Sequence, residues 1–339
     1  MNNIFITLDY EIFFGKSNGT QYNSMVYPTQ KILELLDKYG IKASFFIDSG
    51  YLVQLYNYQK KYPILKADYQ TIISQIKQID SNGHDIQLHI HPHWEDSYFD
   101  GKKWIIDTTR YKLSDFSNQE IDKIVYSYKK ALTDIVGEKV FAYRAGGWCI
   151  QPFDKIKNIL KKHNIWLDST LFKGGKNNSS THYFNFENIP DRTMWSFEED
   201  PCQEQKNGFF IEVPISSHKV SPLFFLKLIY YKKFGGSEHK KFGDGTSAGG
   251  SNWDKLRMLT RYTRSVVSID GYKASFLEEA YRDFLKEKRG EHFVVIGHPK
   301  SISFYSLKRL EKFIRKYSNK NFTTYKREFY DEDSNDRTR

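Results

Sequence analysis

Short apolar runs alternate with amphipathic stretches along nearly the whole chain, and this rhythm restricts the fold more than any other feature of the sequence. Ile4–Leu8, Ala43–Ile47, Asp85–His89, Lys139–Tyr143, Ile165–Asp168, Phe209–Ile215 and Phe293–Ile296 read as buried strands. Thr29–Tyr39, Tyr69–Ile79, Asn118–Ile135, Phe153–His163 and Leu307–Tyr317 carry apolar residues at helical spacing. Strands separated by helices predict an α/β fold with a mainly parallel sheet or barrel, because a parallel pair needs a crossover long enough to hold a helix. At 339 residues the chain is long enough for one large core or two smaller ones.

Charge and composition narrow the function classes. The 51 Lys and Arg outnumber the 41 Asp and Glu, but they are scattered, with no compact basic block, zinc-finger spacing or RNA-binding signature, so no nucleic-acid partner is expected. Two cysteines, Cys149 and Cys202, cannot build a disulfide framework and suit a reducing compartment. No run of apolar residues is long enough to span a bilayer, and MNNIFITLDYE has no secretory pattern, so a cytoplasmic location is expected. Pro222–Phe234 (PLFFLKLIYYKKF) breaks the rhythm, being both apolar and basic, and residues 235–250 after it carry six glycines. It reads as a core helix followed by a flexible loop, or as an interfacial element touching the inner membrane or a lipid-linked substrate.

The residues able to do chemistry gather at predicted strand ends. Four of ten histidines fall in GHDIQLHIHPHW, and His89 and His93, four apart, would lie on one side of a helical turn and bind a metal. Two imidazoles need a third ligand, and the first strand ends in Asp9 and Glu11. Arg144 ends another strand and could grip a carboxylate with a bidentate fork, while Gly146 and Gly147 let backbone approach a ligand. His298 ends a late strand and suits a general acid. Together these make the kit for metal-assisted hydrolysis.

On these motifs the sequence resembles the polysaccharide deacetylases of carbohydrate esterase family 4, the NodB-homology group. Thr7-Leu8-Asp9-Tyr10-Glu11 is similar to the family's first motif, His89-Ile90-His91-Pro92-His93 to its two-histidine motif, Tyr143-Arg144-Ala145-Gly146-Gly147 to its arginine motif, and Ile296-Gly297-His298-Pro299 to its last. The resemblance implies a distorted (β/α)7-type barrel over residues 1–325 as one domain, with an insertion at about 220–265 and a polar tail at 326–339. It implies one divalent metal, zinc by preference, on Glu11, His89 and His93, with Asp9 as base and the reverse assignment of Asp9 and Glu11 left open. The first motif departs from the family in having Tyr10 where a second Asp is usual, and the arginine motif lacks its proline.

The chemistry so implied is attack of activated water on an acetamide, with Arg144 orienting Asp9 and His298 protonating the departing amine. Tyr143, Trp94 and Trp148 either stack on a sugar or pack in the core; His91 and Asp168 are assigned to substrate, with His91 alternatively a packing residue and Asp168 loosely placed in the family's fourth motif. The expected substrate is an acetylated amino sugar on a nucleotide or lipid carrier, or an oligosaccharide, in surface-polysaccharide synthesis. Two other readings remain: an allantoinase-like hydrolase of another C–N bond, and a glycan-binding domain without turnover. Neither the sugar nor the oligomeric state is given by the sequence.

Overall fold

The computed structural model describes residues 2–247, 257–288 and 290–330. The main sheet is built from β1 (Asn3–Tyr10), β2 (Ser44–Asp48), β3 (Asp85–Ile90), β4 (Ala142–Ala145), β5 (Leu167–Asp168), β6 (Trp195–Phe197) and β7 (Phe210–Glu212). A hairpin of β8 (Ser217–Val220) and β9 (Thr263–Val266) stands apart, and β10 (His292–Gly297) and β11 (Asn321–Thr323) complete the main sheet. The order across it is β6-β7-β5-β4-β3-β2-β1-β10, with β11 also paired to β1, and every pairing except β6 with β7 is parallel.

Outside the sheet lie α1 (Tyr27–Lys38), α2 (Ser49–Tyr58), α3 (Pro63–Ser81), α4 (Asn118–Val136) and α5 (Asp154–Lys162), followed by α6 (Pro222–Phe234), α7 (Leu277–Glu287) and α8 (Phe304–Lys316). The α4 start is specified locally: Ser117 accepts from the Glu120 amide while the Glu120 carboxylate accepts from the Ser117 amide. β1 is buried along its whole length, as a strand covered on both faces must be.

The sheet curls toward closure. After β7 the chain leaves β5, to which the Val213 amide still bonds through Asp168 O, and crosses to β10, where the Ser216 amide donates to Val294 O (3.0 Å). Val267 and Ile269 flank β10 from the same side. The α/β barrel-like architecture expected from the sequence is therefore present.

Three local expectations change. The stretch Ser49–Tyr58 forms a helix that follows β2 without a break; its run of tyrosines and leucines lacks a clear period, which hid it. Pro222–Phe234 is helical but not a core helix, since Phe225 is its one buried residue. Packing also continues past residue 325: Tyr325–Phe329 is a short helix, and the Phe329 ring stacks on Phe5 (6.1 Å). The expected tail beyond Tyr330 and the part of the insertion at 248–256 lie outside the described residues. No helix among the described residues is long and apolar enough to cross a membrane.

Candidate active site

Parallel strands bring their carboxyl ends to one edge, and register decides which side chains meet there. Asp48 on β2 pairs with His89 on β3, and His89 pairs with Arg144 on β4. Asp9 near the end of β1 and Glu11 just beyond it both reach this edge. Tyr10 between them points the other way and donates to Gln75 Oε1 (2.7 Å). A period of two thus explains the acid-x-acid spelling.

Arg144 is fully buried and organises one side of the site. Its Nη1 donates to Asp9 Oδ1 (2.6 Å), its Nη2 to Thr7 Oγ1 (3.1 Å) and Ser169 Oγ (3.0 Å), and its Nε to Ser169 O (2.7 Å). The expected bidentate grip on one carboxylate is therefore replaced by a spread of donors, of which a single one holds Asp9. The guanidinium also lies 4.0 Å from the Phe46 ring centroid.

Glu11, His89 and His91 form a buried donor set whose ligand atoms all lie within 4.8 Å of one another. His89 Nδ1 faces Arg144 O at 2.9 Å, so it carries the proton and leaves Nε2 free toward Glu11 Oε2 (3.5 Å). Glu11 Oε2 and His91 Nε2 approach to 2.6 Å, yet neither has a hydrogen bond of acceptable alignment. Atoms this close are bridged either by one proton or, in its place, by a cation, and one carboxylate with two imidazoles suits a zinc-type ion. Burial opposes ionisation of Glu11, but Lys300 and His91 outweigh it and hold its carboxyl well below the usual range. Burial depresses the basicity of His91 to about 4, only partly offset by Glu11, so its ring is neutral and able to ligate.

His93 does not join this set. The chain stays extended through His91 and turns into a short 3₁₀ segment at Pro92–Glu95, so the i, i+4 helical argument that paired His89 with His93 does not apply. In extended backbone i and i+2 share a side, and His91 is the residue brought beside His89. His93 is stacked parallel to Tyr111 (5.3 Å) with both ring nitrogens unpartnered. Gly146 completes the fit: a Cβ there would lie 2.5 Å from His91 Nδ1, so glycine is needed for the imidazole rather than for a ligand.

His298 follows β10 directly and faces both carboxylates. Its Nε2 lies 3.6 Å from Asp9 Oδ2 and 3.7 Å from Glu11 Oε1. Asp270 fixes it twice, accepting from the His298 amide (2.8 Å) and lying 2.8 Å from Nδ1. Burial disfavours the imidazolium, but Asp270 first and then Asp9 and Glu11 raise the basicity of His298 above its ordinary value. Asp270 was not distinguished in the sequence; it follows the β9 strand after a few residues, among many such acids.

Two other contributors escape sequence reading. Lys300, two residues past His298, is buried, bonds Glu11 Oε1 (2.8 Å) and donates to Ile12 O (2.7 Å). Asp48 accepts from Trp94 Nε1 (2.7 Å), and burial pushes its carboxyl up to about 7.

The residues assigned to substrate divide. Trp94 and Tyr143 are buried and offer no face to a sugar. Asp168 is buried as well, its two oxygens accepting from Thr170 Oγ1 (2.7 Å) and the Thr170 amide (3.1 Å). Its neighbour in register is Glu212, which burial and Asp168 push well above the ordinary carboxyl range. Asp168 thus braces the Ser169–Thr170 turn behind Arg144. Trp148 remains half-buried against Phe172 and Phe184.

The inserted segment forms a wall beside the first motif. Asp244 accepts from the Thr20 amide (2.7 Å), Thr20 Oγ1 (2.9 Å) and Asn23 Nδ2 (2.9 Å), and the Gly15 amide donates to Thr246 O (2.9 Å). The residues up to Ser247 are thus pinned, contrary to a flexible loop.

Residues 24–165 match the sequence model of the family described as polysaccharide deacetylase. No curated protein matches the chain. The crystal structure of Puue allantoinase is similar in fold, at 12% identity over 96% of this chain and 91% of that one, with a TM-score of 0.52. A Mycobacterium smegmatis protein provisionally named a polysaccharide deacetylase aligns at 16% identity over 93% and 83% of the two chains, with a TM-score of 0.48. The Bc1960 peptidoglycan N-acetylglucosamine deacetylase aligns at 14% identity over 96% and 87%, with a TM-score of 0.38. The matched residues 24–165, about two fifths of the chain, hold His89, His91, His93 and Arg144, so this part of the chain is similar to the polysaccharide deacetylases.

Proposed function

We propose that this chain is a metal-dependent N-deacetylase of an acetylated amino sugar. The observation that carries the reading is the placement of Asp9 on Arg144 and of His298 on Asp270 either side of the Glu11–His89–His91 set. Those three side chains would hold a divalent ion, zinc by its ligand chemistry, which when bound polarises a carbonyl and lowers the pKa of water. Asp9, kept oriented by Arg144, takes the proton of the attacking water through Oδ2, the oxygen Arg144 leaves free. His298 gives its Nε2 proton to the departing amine, and Asp270 on Nδ1 stabilises the charge the ring carries. An amine leaves poorly unless protonated, so a hydrolase of this bond needs that acid. The products are acetate and a free amino sugar.

A sugar on a phosphate-bearing nucleotide or lipid carrier suits the net charge of +10 and the half-buried Lys241 over the Phe13 ring. Acetate release across N-acetylated nucleotide sugars, lipid-linked sugars and oligosaccharides tests the reading, with allantoin in the same screen as the rival amide. Release from a sugar that needs a stoichiometric metal supports it; hydrolysis of allantoin alone, or full activity in metal-free protein, overturns it.

A further inference from the structure

Helix α6 carries large apolar side chains on every side, among three lysines, yet is covered on one side only. Phe224, Phe225, Leu228 and Tyr231 fall on one arc of the helix, and Phe224 stacks on Tyr272 (5.7 Å) and meets Phe276 edge-on (5.2 Å). Leu223, Leu226, Ile229, Tyr230 and Phe234 fall on the opposite arc and are 50 to 62% exposed. A helix apolar all round belongs in a core or a membrane, and five large exposed apolar side chains on one face are more than solvation explains.

The charge around this face says what covers it. Lys227 and Lys233 are exposed along it, Lys232 is exposed further round the helix, and α6 contains no acidic residue. The register of the β8–β9 hairpin pairs Val220 with Thr263, which sets Tyr262, 66% exposed, beside the start of α6. Lys219 and Arg261 are exposed next to them. A protein interface of this apolar character would carry few lysines, since Lys is depleted at interface cores. Lysines flanking an apolar stripe with aromatic rings match the boundary of an anionic bilayer, where rings and aliphatics enter and ammonium groups meet headgroups. Thirteen residues reach about 20 Å, too short to span a bilayer core of about 30 Å, so the helix lies on the surface rather than across it.

We propose that the outer face of α6 docks the protein on an anionic lipid bilayer. The inner arc of the helix rests on the 3₁₀ turn Gly271–Phe276, which begins at the residue after Asp270, so docking sets the bilayer one helix thickness from that turn. The proposal does not depend on the deacetylase reading, because vesicle binding requires no turnover.

The test is sedimentation of the full chain with vesicles of phosphatidylcholine alone and of phosphatidylcholine with phosphatidylglycerol at about 3:1. The wild-type chain is expected to sediment with the mixed vesicles and to be released by salt. Its partition should fall at least about tenfold in the triple variant Lys227→Glu, Lys232→Glu, Lys233→Glu and equally in Leu226→Asn, Ile229→Asn, Phe234→Ser, with the unfolding midpoint unchanged in both. A chain that stays in the supernatant with both vesicle types overturns the proposal. So does binding that neither variant weakens, or a dimer that the apolar substitutions dissociate while no vesicle-bound fraction exists.

Discussion

His91 and His93 sit two residues apart in different surroundings. His91 faces Glu11 and needs Gly146 under its ring, whereas His93 stacks on Tyr111 with both ring nitrogens unpartnered. His91→Ala should therefore lower metal content by a factor of about 10 to 100 in competition with a chelator, while His93→Phe should leave it unchanged, as read by elemental analysis. Equal metal loss in the two variants would restore the His89–His93 pairing. Asp9→Asn should keep the metal but cut acetate release by about 10² to 10⁴, since a positioned base contributes that much. The sequence shows which residues can do chemistry, and Asp9, Glu11, His89, Arg144 and His298 do converge. What it conceals is backbone conformation at a single step: whether Pro92 begins a helix one residue earlier or later decides which imidazole is paired. Asp270 and Lys300 are concealed for another reason, as their partners are set by tertiary packing that no local spacing records.

At the scale of elements, strand ends were legible and strand junctions were not. The runs predicted for β1, β2, β3 and β10 coincide with the observed strands to within a few residues because continuous apolar runs have few other uses in an α/β fold. The junction between β2 and β3 carries a pH-sensitive lock. His84 Nδ1 accepts from the Ala43 amide (3.1 Å), which requires a neutral ring. Burial, reinforced by Lys42, lowers the pKa of His84 from 6.5 to about 4. Above pH 6.5 neither state holds the proton and the contact is intact. As pH falls toward about 4 the unfolded chain takes up a proton that the folded chain refuses, so stability declines through that window and the loss levels off below it. The decline is bounded by about 3 kcal/mol, and His84→Asn, which keeps an acceptor, should flatten the unfolding midpoint between pH 6.5 and 4.5 relative to wild type. An unchanged slope in that variant would assign the acid sensitivity elsewhere.

Across the whole molecule, distant stretches share one hydrogen-bonded chain. Tyr325 and Ser169 hydroxyls lie 2.8 Å apart, Ser169 Oγ accepts from Arg144, and Arg144 holds Asp9. Tyr325→Phe should cost about 1 kcal/mol, the net worth of one hydrogen bond, and should lower turnover more than substrate affinity, because the disturbance reaches Asp9 through Arg144. Thermal unfolding and steady-state kinetics read the two effects separately, and a loss in KM alone would contradict the route. The curled sheet itself was legible from the strand–helix rhythm, but its near-closure was not. Closure depends on Ser216 bonding Val294, and neither residue stands out in the sequence.

The same linkage orders events in time. During synthesis Asp9 and Glu11 leave the ribosome before His89 and His91, and His298 and the Tyr325 that braces Arg144 follow them. The proposed ligands are thus made early, but the proposed base lacks its brace and the proposed acid its strand until the stretch through Tyr325 is available to fold. A fragment ending before His298 would contain Glu11, His89 and His91 but neither the acid nor the Tyr325 brace that the proposed hydrolysis needs.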